Sequence, residues 1–289
     1  MLISLLHALR PQQWIKNFFV LAALLFSKHL LDPEYVFIGL GAFICFCAIS
    51  SAVYLFNDIQ DRENDRQHPE KCHRPIASGA LSISVAALAA IVLAGFSLWG
   101  AYSLHPNFGF VLMVYTFLNV AYSLRLKHVV ILDVMIISSG FLLRAIGGAL
   151  VIDVAISSWF ILCTMLLSLF LGFVKRRQEL LLLDVNAAHH RRILSEYSPQ
   201  FLDQVISVVT AGTLVSYALY TMSPEVAEKL GSPHLGLTIP FVVYGLLRYL
   251  YLVYNKGRGG NPASTILSDL PILIACGLWL ATFSAILYF

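Results

Sequence analysis

Val36-Phe37-Ile38-Gly39-Leu40-Gly41-Ala42-Phe43-Ile44-Cys45-Phe46-Cys47-Ala48-Ile49-Ser50-Ser51-Ala52-Val53-Tyr54-Leu55-Phe56 runs without a charge and then gives way to Asn57-Asp58-Ile59-Gln60-Asp61-Arg62-Glu63-Asn64-Asp65. An uncharged run of about 20 residues is long enough to cross the hydrocarbon core of a bilayer as a helix, which leaves no backbone group unsatisfied. The pattern recurs: apolar runs lie at 16–31, 36–56, 83–104, 108–124, 129–152, 157–174, 204–222, 235–254 and 269–288. The first is the weakest, because Lys16 and Lys28 bracket a short apolar core. Composition agrees, with 58% of the 289 residues hydrophobic, 12% charged and a mean hydropathy of +0.78. Soluble domains run nearer half apolar and a quarter charged, so a cytosolic enzyme, a disordered chain and a disulfide scaffold are excluded. The expected fold is all-α, a polytopic membrane protein of about nine transmembrane helices forming a single domain over 1–289.

Nine spans put the two termini on opposite sides, and the positive-inside rule then compares two sets of loops. One set holds Arg10, Lys16, Arg62, Arg66, Lys71, Arg74, Arg125, Lys127, Lys175, Arg176, Arg177, Arg191, Arg192, Lys256 and Arg258; the other holds Lys28 and Lys229. The amino terminus is expected in the cytoplasm and the carboxyl terminus outside, in a cell (inner) membrane. The cytoplasmic loops are 57–82, 125–128, 175–203 and 255–268, and the Gly-rich stretch Lys256–Pro262 is expected to cover a site among them. No cleavable signal is expected, since His7, Arg10 and Lys16 interrupt the N-terminal segment. Cys45, Cys47, Cys72, Cys163 and Cys276 show no metal-ligand spacing and read as small packing residues.

The carboxylates are as unevenly placed as the cations. On a continuing helix the i, i+3, i+7 spacing puts Asp58, Asp61 and Asp65 on one face. Three carboxylates on one face repel unless a cation lies between them. Hard oxygen donors on consecutive turns suit Mg2+, which completes its octahedron with water and substrate phosphate oxygens. The motif therefore predicts a phosphorylated ligand as well as a metal. Glu63 points off that face and reads as solvated. Arg66, Lys71, His73 and Arg74 follow within one loop and supply anion-binding groups, although positive loops also serve to orient spans.

Asn57-Asp58-x-x-Asp61-x-x-x-Asp65 after a second span, Arg10-Pro11 before the first, Tyr122-Ser123 ending the fourth and Lys127 beyond it resemble the UbiA superfamily of intramembrane prenyltransferases. The resemblance covers the whole chain and implies a bundle around a central cavity open to the cytoplasm. Arg10-Pro11-x-Gln13-Trp14-x-Lys16-Asn17, Asp65-Arg66-x-His68-Pro69, Arg74-Pro75-Ile76-Ala77-x-Gly79, Leu132-Asp133-Val134, Leu143-Arg144 and Lys175-Arg176-x-x-Glu179-Leu180 are similar to its phosphoribosyl-transferring branch. That branch uses Mg2+ and phosphoribosyl diphosphate to load ribose 5-phosphate onto a polyprenyl (decaprenyl) phosphate.

The resemblance implies Asp58, Asp61 and Asp65 as metal ligands and, with Asn57, as the catalytic group. Lys16, Asn17, Arg66, Arg74, Tyr122, Lys127, Lys175, Arg176, Glu179 and Tyr197 are the substrate-binding candidates. Where aromatic prenyltransferases of the superfamily carry a second aspartate motif, this chain reads Lys175-Arg176-Arg177-Gln178-Glu179, with Asp184 and His189-His190-Arg191-Arg192 further on. Three consecutive cations disfavour a second metal and favour a bare phosphate. A polyprenyl phosphate is already anionic and needs no general base, consistent with the lack of a Ser, His or Cys nucleophile arrangement. Two alternatives stay open: transfer of a prenyl group to an aromatic or other small acceptor, and transport of a phosphorylated metabolite. The partners are the two substrates and the membrane, with no nucleic acid, and a homo-oligomer is compatible with the sequence. Arg144, mid-span, is expected to face the protein interior with a carboxylate or phosphate partner. Arg248 poses the same problem, and Asp269 reads as a helix cap.

Overall fold

The computed structural model describes residues 2–27, 29–69, 71–182, 192–260 and 262–288, and the chain folds into two compact units, Met1–Ile156 and Ser157–Phe289. Lys28, Asp184 and the His189-His190-Arg191 run lie outside the described residues. No strand occurs among the described residues.

The first unit holds α1 (Leu2–Leu9), a 3-10 segment (Pro11–Leu21), α2 (Ala22–Phe26), α3 (Pro33–Gln60), α4 (Arg62–Gln67), α5 (Ile83–Leu104), α6 (Pro106–Leu124) and α7 (Leu132–Val151). Local chemistry starts these helices. Asp32 caps α3 by accepting the Glu34 N–H, and Ser82 caps α5 by accepting the Val85 N–H. Pro33 and Pro106 stand at first helical positions, where a missing N–H costs nothing. With 28 residues, α3 is about 42 Å long, longer than the roughly 30 Å hydrocarbon core. The helix is thus longer than the core is thick, and Asp58 lies near its C-terminal end.

Among the described residues eight helices are long and apolar enough to span a membrane, and they match the second to ninth runs of the sequence within a few residues at most ends. The run 16–31 differs. It forms the 3-10 segment followed by α2, with right-handed helical angles through Leu21 and Ala22, so one mixed rod extends from Pro11 to Phe26. It packs against α3 and α7. An ideal Cβ built on Gly148 of α7 would fall 1.8 Å from the Val20 carbonyl oxygen. Backbone touches backbone here, a contact that small residues permit between membrane helices. Gly148→Ala is expected to destabilise the protein by about 3 kcal/mol because backbone, not a flexible side chain, has to move; thermal unfolding in detergent measures it.

Phe46, Ile49, Phe108, Leu112 and Tyr115 form the buried centre of this unit. By contrast Leu88, Ile91, Val92, Phe96 and Trp99 of α5 are exposed. On a helix that crosses a bilayer such residues meet lipid, where apolar exposure has no cost.

Arg144 is buried within α7, as expected, but its partners differ from expectation. Its Nε donates to Asn17 Oδ1 (2.7 Å), Nη1 to the Gly140 carbonyl (2.7 Å) and Nη2 to the Tyr115 hydroxyl (2.9 Å). The guanidinium also lies over the Tyr115 ring, 4.8 Å from its centroid. Neutral acceptors and π faces hold the charge in place of a carboxylate; a planar fork of five donors permits that arrangement.

The second unit holds α8 (Ser158–Leu182), α9 (Pro199–Met222), α10 (Pro224–Leu230), α11 (Ile239–Lys256), α12 (Pro262–Ser268) and α13 (Leu270–Tyr288). The expected loop 175–203 begins as helix, since α8 runs on through the cationic stretch to Leu182. Lys, Arg, Gln, Glu and Leu are good helix formers, and Glu179 pairs with Arg176 at i+3 and Lys175 at i+4.

Arg248 and Asp269 solve each other's problem, with Nε to Oδ1 at 3.3 Å and Nη2 to Oδ2 at 3.0 Å. Asp269 Oδ1 also accepts the Ile272 N–H at 3.1 Å, so it caps α13. The Arg248 hydrogen bonds hold the Asp269 carboxyl below the ordinary carboxylate range. A lowered pKa contributes stability that is present above the ordinary carboxylate value and lost as pH falls through the lowered one. Asp269→Asn keeps the cap, so its deficit against wild type should be full at neutral pH and close in acid; melting curves across pH measure this.

Candidate functional site

Asp58 is built into the first unit by three segments. It occupies the last turn of α3, buried to 2% exposure. Arg10, between α1 and the 3-10 segment, takes a left-handed backbone (φ 54, ψ 60) and reaches Asp58 Oδ1 at 2.5 Å, its guanidinium also lying over the Tyr54 ring. The Ser51 hydroxyl donates to the Leu9 carbonyl and accepts from Trp14 Nε1, which pins the Arg10 turn to α3 from both sides. Arg74 Nη1 approaches Asp58 Oδ1 at 3.2 Å and Asp65 Oδ2 at 2.7 Å. Asp65, on α4, is 4% exposed.

The continuous helical face expected for the aspartates is interrupted. Asp61 (φ −90, ψ 4) separates α3 from α4, although its N–H still donates to Asn57 O and its carbonyl still accepts from Asp65 N–H. Asp58 and Asp65 therefore converge on Arg74, while Asp61 pairs with Lys127 Nζ at 2.6 Å. Each carboxylate has a cationic partner, and among the described residues no three His, Cys, Asp or Glu side chains form a metal-sized group. Asn57 Oδ1 is a buried acceptor with no partner among the described residues. An orphaned amide oxygen on the residue before Asp58 fits a divalent cation or its bound water.

The remaining candidates are spread through both units. Asn17 is 1% exposed; its Nδ2 donates to Cys47 Sγ and Ser50 Oγ, and its Oδ1 holds Arg144. Asn17 thereby joins the 3-10 segment, α3 and α7. Arg66 Nε donates to the Ala77 carbonyl and its Nη1 meets Glu63, which is exposed as expected. Lys16 and Tyr122 are half-buried. In the second unit the three consecutive cations are not bare. Arg176 is 2% exposed and bound to Glu179 at 2.5 Å, and Arg177 pairs with Asp203 and stacks over Tyr254. Tyr197 is buried beside Phe201.

Sequence reading passed over Arg10 as a site residue. A signal was present: a charged residue immediately before Pro11 at the entry of an apolar run. Its partner, however, lies 48 positions away.

A helical membrane scaffold ending in a buried Asp–Arg cluster defines an intramembrane transferase, and the chain belongs to the UbiA prenyltransferase family, whose sequence profile matches residues 17–268. Among curated relatives it is 36% identical to the decaprenyl-phosphate phosphoribosyltransferase of Mycolicibacterium smegmatis, over 99% of this chain and 93% of that one. It is 34% identical to the Corynebacterium glutamicum protein of the same name, over 96% and 84%. Among solved structures, a UbiA homologue from Archaeoglobus fulgidus bound to GPP and Mg2+ superposes with a TM-score of 0.72 at 17% identity, covering 99% of this chain and 100% of that one. A UbiA homologue from Aeropyrum pernix gives 0.64 at 14% identity, covering 96% and 97%. Those two likenesses establish the fold.

Proposed function

We propose that the protein transfers the 5-phosphoribosyl group of phosphoribosyl diphosphate to a polyprenyl (decaprenyl) phosphate, releasing diphosphate and giving polyprenylphosphoryl-5-phosphoribose. The observation that carries this is the similarity to decaprenyl-phosphate phosphoribosyltransferases over nearly the whole of both chains. The site's chemistry is compatible. Asp58, Asp61 and Asp65, with Asn57, are the proposed holders of Mg2+, which when bound would supply Lewis-acid neutralisation of the diphosphate. Arg10, Arg74 and Lys127, which the carboxylates hold in place, turn to phosphate oxygens when substrate arrives; a guanidinium fork suits that role. Lys16, Arg66 and Tyr122 in this unit, and Lys175, Arg176, Glu179 and Tyr197 in the second, are the further proposed contacts. The lipid phosphate oxygen attacks C1 as the C1–O bond breaks, and diphosphate leaves with the electron pair. No proton has to be removed from the nucleophile, so no side-chain base is required.

The positive-inside distribution supports placing the amino terminus and the carboxylate cluster on the cytoplasmic side, where a soluble sugar diphosphate is met. Purified protein given Mg2+, labelled phosphoribosyl diphosphate and decaprenyl phosphate should move the label into the organic phase. No transfer there, with prenylation of an aromatic acid from a prenyl diphosphate instead, would overturn the reading.

A further inference from the structure

We propose that Ile131 is a positioning residue for Lys127: a strained backbone turn at Ile131 holds Lys127 on Asp61 and relaxes as Lys127 turns to a phosphate oxygen. The inference deepens the reading above, from which it takes that Lys127 meets a diphosphate.

Ile131 joins the loop after α6 to the first turn of α7 with φ 70 and ψ −46. The Leu132 N–H donates to the Val130 carbonyl at 2.8 Å, so Val130, Ile131 and Leu132 form a γ-turn of the rare, strained hand. Positive φ crowds the Cβ of an L-residue against a carbonyl oxygen, and a β-branched side chain makes the crowding worse. Among the described non-glycine residues Arg10, Ile131 and Asp153 have positive φ, and of these Ile131 alone is β-branched. Its side chain is 41% exposed, so burial offsets only part of the strain, which glycine would avoid.

The turn is held closed from both sides. Downstream, Asp133 and Val134 are fully buried. The Asp133 N–H donates to the Val129 carbonyl, and the Val134 and Met135 N–H groups both donate to the Ile131 carbonyl. Upstream, the 3-10 turn Leu126–His128 packs against both α6 and α7, and the Val129 N–H donates to the Leu126 carbonyl. Strain of this kind persists where the surroundings over-determine it. Lys127 adds a further tie, its Nζ reaching Asp61 Oδ1 at 2.6 Å from a side chain 15% exposed. Lys127 stands four residues before Ile131, so taking its ammonium off Asp61 frees the 3-10 turn to shift and the Ile131 backbone to return toward negative φ. Strain that one contact maintains and a ligand releases adds to the affinity for that ligand.

The test uses the full chain in nanodiscs with labelled inorganic diphosphate and Mg2+, without sugar or lipid substrate. Ile131→Gly adopts positive φ without strain, so it is expected to bind diphosphate about tenfold more weakly, roughly 1.4 kcal/mol. In a Lys127→Ala background the same substitution should change affinity by less than about twofold, because no ammonium is left to turn. A merely structural change at Ile131 would act alike in both backgrounds. Thermal unfolding gives a second readout: Ile131→Gly should melt about 2 °C or more above Ile131→Ala, the reverse of the order at negative φ, where glycine is the less stable. Ile131→Gly melting below Ile131→Ala, parental diphosphate affinity in Ile131→Gly, an equal loss in both backgrounds, or no saturable binding to the wild type overturns the proposal. Diphosphate is released by phosphoribosyl and prenyl transfer alike, so a chain that fails the phosphoribosyl transfer assay can still pass this one, and the reverse.

Discussion

Asp58→Asn should lower the transfer rate by about 10³-fold, roughly 4 kcal/mol of transition-state stabilisation, while the protein still folds in detergent. Asparagine keeps the volume of a side chain that is 2% exposed, so packing changes little. What changes is charge. Asp58 is the carboxylate that Arg10 and Arg74 share, and Arg74 links it to Asp65. A neutral amide removes a proposed hard ligand and releases two guanidiniums from their set positions. Those guanidiniums are about a quarter exposed, so water can solvate them and the fold is spared. Turnover near wild type, measured with labelled phosphoribosyl diphosphate, would sink the metal and catalytic assignment of the aspartates.

Arg144→Met should have the opposite signature, with a stability loss of about 4 kcal/mol, because one truncation strands several buried partners. Asn17 Oδ1, the Tyr115 hydroxyl and the Gly140 carbonyl all lose their donor. Water cannot replace it at a residue 5% exposed. Arg144→Lys should recover less than half of the loss, since an ammonium is a point charge and cannot reach acceptors on three sides. Thermal unfolding in detergent measures both variants, and equal stability of Arg144→Met and wild type would show that the network holds nothing together.

These two residues also mark how far the sequence could be read. Asp58 was legible because a carboxylate cluster at the end of an uncharged run is conspicuous in a chain with 16 acidic residues. Arg144 was legible as a buried charge, but not its partners, since Asn17 lies 127 positions away and carries no signal of pairing. Asn17 carries a second duty for that reason, since its side chain also joins the 3-10 segment to α3 and α7. The stretch Lys175–Glu179 read as bare positive charge because Asp203 is distant in sequence and Glu179 meets Arg176 only on a helix that continues past the apolar run.

Sequence by itself determined the class of protein, eight of the nine expected runs as long apolar helices with most ends within a few residues, and the carboxylate motif at the end of one of them. Hydropathy and run length are local quantities judged against a single solvent, the bilayer, so no long-range information is needed. Tertiary structure alone decided that the run 16–31 is a mixed 3-10 and α rod seated on Gly148, that Asp61 turns to Lys127 while Asp58 and Asp65 share Arg74, and that a neutral cage holds Arg144. Each of these is a choice among many possible partners for one charge or one close approach. Only the packing of distant segments makes that choice, because an ion pair or a backbone contact depends on ångström distances that residue spacing along the chain does not contain.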